Sequence, residues 1–462
     1  MINSLPEDFV NRMKSQLDEE FDAFIESYNA KSVKSLRVNT LKISVDDCLS
    51  LLGLPASECE YVPWENRGIY CKEQSNEEQI SETSFGKRAA HAAGAYYIQE
   101  ASAMLPVTLL DVDQSGQKVL DLCAAPGGKS TQIAAYMNGC GLLVSNEIVP
   151  SRAKILSENI ERLGVRNALV ISEEPGKLAD RFPAFFDRIL VDAPCSGEGM
   201  FRKHPEAADE WSLENVLMCA DRQDMILDCA AKMLAPGGKI VYSTCTFSTL
   251  EDEEAAKRFI SRHPEFEICD EPFRLYPHKV RGEGHFAVSF ARSTDTERPN
   301  IGGSVGAVRM TRAQRELLCD FAQGTLNKDS DFYRVLTDPK CDEADRLIRF
   351  GDSIYLAPDF LPDTAGLKVL RAGLKIGEFK KNRFEPDHAM ALAMNKKDAR
   401  ICVDCDGKSP EVTDYLKGMT LINNYGCENG WCLVCTDGIS LGWGKCTGGV
   451  IKNHYPKGLR IS

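Results

Sequence analysis

Between about residues 96 and 292 the chain alternates short apolar runs with helical stretches, and nothing else in it restricts the fold as strongly. Lys118-Val-Leu-Asp-Leu reads as a buried strand, Lys129 to Met137 as a helix and Gly141-Leu-Leu-Val-Ser-Asn as a second strand. A helix over Arg152 to Leu163 and a strand over Ala168 to Ser172 follow. Then come Arg188-Ile-Leu-Val-Asp, a long helix around Val216 to Leu234, and the strand Lys239-Ile-Val-Tyr-Ser. Apolar strands alternating with helices specify βαβ units on a doubly wound parallel sheet. Gly237-Gly238 stands between the long helix and its strand, where a helix C-cap is expected. Such a sheet places ligands beyond the carboxyl ends of its strands, so the loops there are the places to look for chemistry.

The flanks read differently. Up to residue 95 an amphipathic pattern (Phe9, Met13, Leu17, Phe21, Phe24, Ile25) precedes strand-like Ser35-Leu-Arg-Val-Asn-Thr-Leu. A short helical run opened by Asp46-Asp47 ends near Gly53, completing a small α+β module. A Ser, Thr, Asp, Arg and Gly-rich linker at about 293–305 marks a boundary. Domains are therefore expected at 1–95, 96–292, 305–385 (mixed) and 386–462 (short strands with Gly turns), without internal repeats. No apolar run reaches the ~18 residues of a membrane span. Met1-Ile-Asn-Ser-Leu-Pro-Glu-Asp lacks the apolar core of a secretory leader. The 18 cysteines then read as reduced thiols of a cytoplasmic chain rather than a disulfide scaffold.

A net charge of -13 weighs mildly against a nucleic-acid partner, but recognition depends on local patches. Gly366 to Arg400 is rich in Lys and Arg, and Ile439 to Ser462 carries Lys445, Lys452, Lys457 and Arg460 with no acid. Such windows are most often just solvated faces.

Three loops carry the chemistry. In Val119-Leu-Asp-Leu-Cys-Ala-Ala-Pro-Gly-Gly-Lys-Ser a strand enters a turn of small residues and a helix leaves it, which lets backbone approach a ligand. A nucleotide-triphosphate loop needs Gly where Cys123 stands, and the G-x-G-x-x-G dinucleotide fingerprint is absent. Glu147 follows the next strand at the distance where an acid accepts ribose hydroxyls, which favours an adenosine-containing ligand without pyrophosphate. A tight turn without a ligand is the alternative. The other two loops each place a cysteine just past a strand: Cys195 after Asp192-Ala-Pro, and Cys245 after Tyr-Ser-Thr. Either cysteine alone could be a buried apolar residue. Two at neighbouring strand tips suggest a thiol pair for metal binding or covalent catalysis, and no histidine cluster with ligand spacing supports the metal.

Asp-Leu-Cys-Ala-Ala-Pro-Gly-Gly-Lys-Ser, Asp-Ala-Pro-Cys-Ser-Gly and Ser-Thr-Cys-Thr resemble, in order, the signature motifs of the Nol/Nop/Sun family of S-adenosylmethionine-dependent RNA cytosine-5 methyltransferases. Ser35-Leu-Arg-Val-Asn-Thr-Leu-Lys and Gly94-Ala-Tyr-Tyr-Ile-Gln-Glu-Ala-Ser-Ala-Met match further. Pro194-Cys-Ser-Gly-Glu-Gly-Met-Phe-Arg-Lys and the ending Leu441-Gly-Trp-Gly-Lys, Lys452-Asn-His-Tyr-Pro-Lys-Gly-Leu-Arg resemble the bacterial RsmF-type branch. The resemblance implies an α/β fold: a Rossmann-like methyltransferase core, an N-terminal α+β RNA-binding module and a C-terminal PUA-like β-rich RNA-binding domain. It implies 16S ribosomal RNA as substrate, naked or within the small subunit, and a monomer needing no protein partner or membrane. It makes Cys245 the attacking thiol and Cys195 the thiol that assists product release. Asp192 would hold and protonate the cytosine. Cofactor contacts would fall on Cys123, Ala124, Ala125, Pro126, Gly127, Gly128, Lys129, Glu147 on the ribose, Glu174 beside the adenine, and Asp192 near the reacting methyl. Glu174 fits the adenine position better than Glu173, where the family more commonly has aspartate. Arg202, Lys203 and His204 are candidates for phosphate contact, and His454, Tyr455 and Trp443 for base stacking, although Trp443 reads better as barrel core. Cys402-Val-Asp-Cys405 and Cys432-Leu-Val-Cys435 have the spacing of zinc half-sites but sit in apolar strand-like runs, which favours core thiols. DNA cytosine methylation and a non-catalytic assembly factor remain as rival readings.

Overall fold

A computed structural model describes residues 5–54, 57, 59–71, 85–294 and 310–461; the expected linker falls mostly outside them, from residue 295 on. At the N-terminus, α1 (Glu7–Leu17) and α2 (Phe21–Ser27) precede β1 (Ser35–Val38). Next, α3 (Val45–Leu52) starts where the Ser44 side chain accepts from the Asp47 amide and stops at left-handed Gly53. With β2 (Glu60–Val62), β3 (Glu65–Tyr70) and β4 (Tyr96–Ile98), β1 forms an antiparallel sheet of order β2-β3-β1-β4.

The central domain is built on β5 (Lys118–Asp121), α4 (Gly128–Met137), β6 (Leu142–Asn146), α5 (Pro150–Arg162), β7 (Ala168–Ile171) and α6 (Pro175–Arg181). It continues through β8 (Phe186–Asp192), α7 (Leu213–Met233), β9 (Leu234–Thr244), α8 (Glu253–Arg262), β10 (Phe266–Ile268), β11 (Phe273–Leu275) and β12 (His285–Arg292). The strands run β10-β12-β9-β8-β5-β6-β7, with β5 through β9 parallel and β12 antiparallel to β9. Alternate residues of each strand serve opposite faces, and both faces are covered. Val119, Leu143, Val170 and Leu190 pack on α4 and α5, whereas Leu120, Val144, Leu169 and Ile189 pack on α6, α7 and α8. The chain winds outward from β5 to β7 and returns to β8 on the other side of β5. The switch point, where such sheets bind ligands, lies between β5 and β8.

One expectation needs correcting. Gly237-Gly238 does not cap the long helix: Leu234 in extended conformation does, and β9 begins there at once. Left-handed Gly237 lies within β9, and a side chain at Gly238 would meet the Asp187 carbonyl at 2.9 Å. From residue 310 on, the third segment adds a strand to the central sheet. Its α9 (Arg312–Thr325), α10 (Asp331–Thr337), β13 (Leu347–Phe350) and β14 (Ser353–Leu356) lead into β15 (Val369–Ala372), which pairs antiparallel with β7 and extends the central sheet. Then β16 (Leu374–Lys380) and β17 (Arg383–Pro386) complete the sheet β13-β14-β16-β17. After α11 (His388–Ala393), the C-terminal sheet of β18 (Cys402–Cys405), β19 (Leu421–Ile422), β20 (Gly430–Thr436), β21 (Ile439–Thr447) and β22 (Val450–Asn453) has the order β18-β20-β21-β22-β19. It shares one core cluster with the N-terminal sheet and another with α9, α10 and β16.

Candidate active site

A cavity of about 790 Å³ opens at the switch point. Its walls include Leu122, Cys123 and Ala125 after β5, Asn146 to Val149 after β6, and Glu174 to Gly176 at the start of α6. Asp192 to Cys195 after β8 and Cys245 after β9 complete the side toward the thiols. Of the residues expected around a cofactor, Cys123, Ala125, Glu147, Glu174 and Asp192 line this cavity. Ala124, Pro126, Gly127, Gly128 and Lys129 shape the turn without lining it. Left-handed Gly127 makes that turn, and the Ala125 and Pro126 carbonyls accept from Arg152 and Asn159 of α5. Glu147 is aimed by the Val149 amide, 2.9 Å from Oε1, and by Arg152 at 3.3 Å. Glu173 turns away to Lys177 and the Lys368 amide of the β15 segment, leaving Glu174 as the carboxylate on the wall.

Sheet register brings the end of β8 beside the end of β9, pairing Asp192 with Ser243. Cys195 Sγ and Cys245 Sγ lie 3.3 Å apart. Contact with Cys245, burial and the nearby Glu251 charge push the Cys195 thiol well up. Asp192 lines the same cavity: Lys129 Nζ donates to Oδ2 at 2.7 Å and Ser243 Oγ to Oδ1 at 2.8 Å, while His285 Nε2 is 3.4 Å from Oδ1. Burial would raise this carboxyl, but the Lys129 charge and His285 overcome it and hold Asp192 well below the usual carboxylate range. Burial and the Lys129 charge push His285 down.

Two fully buried glutamates that the sequence did not single out hold the cysteine loops. Glu251 accepts from Ser196 N at 3.0 Å, Ser196 Oγ at 2.5 Å and Gln223 Nε2 at 3.0 Å. Glu198 accepts from Trp211 Nε1 and Phe247 N, both at 3.0 Å, and pairs with Arg12 of α1 at 2.5 Å, which joins the N-terminal helices to both loops. Gly199 donates its amide to the Cys245 carbonyl at 2.8 Å, and a side chain there would collide with the same oxygen. Glu198 was visible inside the Pro-Cys motif. Glu251, in the acidic run before α8, reads from sequence as an ordinary helix-start acid.

Several expected RNA contacts have other occupations. Arg202 is buried against Glu283 at 2.7 Å and the carbonyls of Gly282 and Ser27, so it is not a phosphate ligand; Lys203 and His204 are exposed. In the first basic window, Arg371 pairs with Glu161, Lys375 with Glu378 and Asp387, and Lys396 with Asp404. Trp443 and Tyr455 are core, whereas His454 packs edge-on to Trp431 beside Lys445. Cys402 approaches Cys435 at 3.4 Å and Cys432 approaches Cys446 at 3.6 Å. No three His, Cys, Asp or Glu side chains among the described residues are grouped to hold a metal. No helix among them is long and apolar enough to cross a membrane.

Family models match the chain along most of its length. The 16S rRNA methyltransferase RsmB/F model covers residues 107–291 and the N-terminal domain of 16S rRNA methyltransferase RsmF covers 5–101. The RsmF rRNA methyltransferase first C-terminal domain covers 331–394 and the methyltransferase RsmF PUA domain 403–461. The chain is 33% identical to ribosomal RNA small subunit methyltransferase F of Vibrio campbellii over 98% of its length and 97% of the relative's. It is 32% identical to the protein of the same name from Erwinia tasmaniensis, over 98% and 96%. Among solved structures, a methyltransferase homolog protein from Pyrococcus horikoshii is 27% identical, with a TM-score of 0.54 over 62% of this chain and 95% of that one. NSun6 from the same organism, at 22% identity and TM-score 0.55 over 64% of this chain and all of the other, shares the fold.

Proposed function

Because the chain belongs to the RsmF family of 16S rRNA methyltransferases, we propose that it methylates carbon 5 of a cytidine in 16S ribosomal RNA, with S-adenosylmethionine as donor, through a covalent bond between Cys245 and carbon 6. The observation that carries the reading is the pair of thiols 3.3 Å apart on the wall of one cavity with an ionised aspartate. The residues of that cavity fit the donor. Glu147 suits a ribose diol, Glu174 can accept an adenine amino group, and Leu122, Ile148 and Pro175 offer apolar surface to the purine. When bound, S-adenosylmethionine supplies an electrophilic methyl group.

Carbon 5 of cytosine is a weak nucleophile, and addition of a thiolate to carbon 6 makes an enamine with electron density on carbon 5. Cys245 forms that carbon–sulfur bond as its thiolate, after giving up its thiol proton to a base. Asp192, kept ionised by Lys129, accepts hydrogen bonds from the amino edge of the ring. The Lys129 ammonium, 2.7 Å from Asp192, holds that carboxyl low, which favours holding the ring over protonating it. After methyl transfer, loss of the carbon 5 proton to a base expels Cys245 and restores aromaticity, with Cys195 assisting release. The target base must leave its stack to reach the thiols, at a cost of a few kcal/mol offset by contacts elsewhere.

The test is to express Cys195→Ala, isolate it under denaturing conditions and sequence the RNA still attached. Attached RNA that disappears in the Cys195→Ala, Cys245→Ala double variant supports the reading, and its sequence names the cytidine. A wild type that methylates RNA while Cys195→Ala traps none refutes the assignment of the thiols. A wild type that binds RNA and never methylates it would make the chain an assembly factor.

A further inference from the structure

A second cavity, of about 490 Å³, lies beside the first and has Cys195 and Arg222 in common with it. The methyl-transfer reaction described above makes no use of it. One wall is the Pro-Cys loop and its continuation through Met200 and His204; the other is the N-terminal end of α7, with Asn215 and Met218. Trp211 closes the space, its ring fixed because Nε1 is committed to Glu198. Met218 is half exposed although it lies against this space, so the wall presents apolar surface to solvent.

We propose that this cavity takes the nucleobase of the RNA nucleotide adjoining the target cytidine. The inference rests on the methyltransferase reading and adds to it a recognition site. A nucleotide one phosphodiester away from a base held against Cys195 is within reach of the space on the other side of that residue, which is this cavity. Arg222 lies on the wall between the two spaces, exposed and without a carboxylate partner among the described residues, where the linking phosphate would pass. A fixed indole, a thioether and an imidazole offer a base flat and polarisable surface, the kind on which unstacked RNA bases settle. Glu206 and Glu210 at the edge accept hydrogen bonds, so the cavity suits a base edge that donates from an amino group.

The test uses the full-length protein with a small-subunit rRNA fragment spanning the methylated cytidine, made intact, abasic on the 5′ side, or abasic on the 3′ side. With wild type, one abasic form is expected to lose about tenfold or more in kcat/KM, mainly through KM, and the other less than about twofold. In Met218→Ala and Asn215→Ala, intact and abasic RNA should differ by less than about threefold, while melting temperature and S-adenosylmethionine affinity match wild type. Equal kcat/KM on all three RNAs overturns the inference and leaves the methyltransferase reading standing. Absence of transfer to any intact small-subunit rRNA overturns the reading and the inference together.

Discussion

Replacing Lys129 by Met deletes the ammonium 2.7 Å from Asp192 and keeps the apolar stem that fills the turn. Breaking a fully buried pair by removing one partner costs about 3–5 kcal/mol. Here the loss of stability should be about 2 kcal/mol, because Asp192 is 30% exposed into the cavity and keeps the Ser243 hydroxyl at 2.8 Å. The chemical cost is larger. The variant lacks the charge that keeps Asp192 ionised, and kcat should fall about 100-fold, or about 2.7 kcal/mol in the barrier. The pH profile carries the sign. In the wild type the depressed Asp192 carboxyl stabilises the fold above the ordinary aspartate range, and that contribution is lost as pH falls through the folded-state value. Without Lys129, only His285 and the Ser243 hydroxyl oppose burial, the carboxyl titrates higher, and the acid limb of kcat moves to higher pH. Single-turnover methylation across pH, with thermal melting alongside, measures both. A variant within twofold of wild-type kcat and with an unmoved acid limb would refute the role given to the pair.

The two adjacent glutamates separate cleanly: Glu174→Ala should weaken S-adenosylmethionine binding about tenfold in calorimetry, whereas Glu173→Ala should leave it within about twofold and lower the melting temperature by loosening the β15 segment. Gly199→Ala puts a methyl 2.8 Å from the Cys245 carbonyl, should cost about 1–3 kcal/mol on thermal melting, and should change the rate of Cys245 alkylation as the loop shifts. Burial raises Asp121 to about 7, so in the wild type it weakens the fold increasingly as pH rises from the ordinary aspartate range toward 7. Asp121→Asn should therefore be more stable than wild type near neutral pH and about equal to it in acid, which denaturant titrations at several pH values check.

Most of the central sheet was legible because its signals are local. A strand buried on both faces is apolar at every position, as at Val119-Leu and Ile189-Leu-Val, and the helices between strands keep their own period. The cavity side of the site was legible for the same reason: Cys123, Glu147, Asp192, Cys195 and Cys245 all stand at strand ends, where a doubly wound sheet gathers its loops. Tertiary structure alone decided the rest. Which of two neighbouring glutamates faces the cavity depends on a β15 amide nearly 200 residues away, 2.7 Å from Glu173. The glutamates that brace the thiol loops, the histidine beside Asp192 and the internal use of Arg202 depend on partners distant in sequence. Strand and helix type follow from spacing along the chain, whereas the ionisation and aim of a buried side chain follow from the charges and donors the fold brings within about 3–4 Å of it.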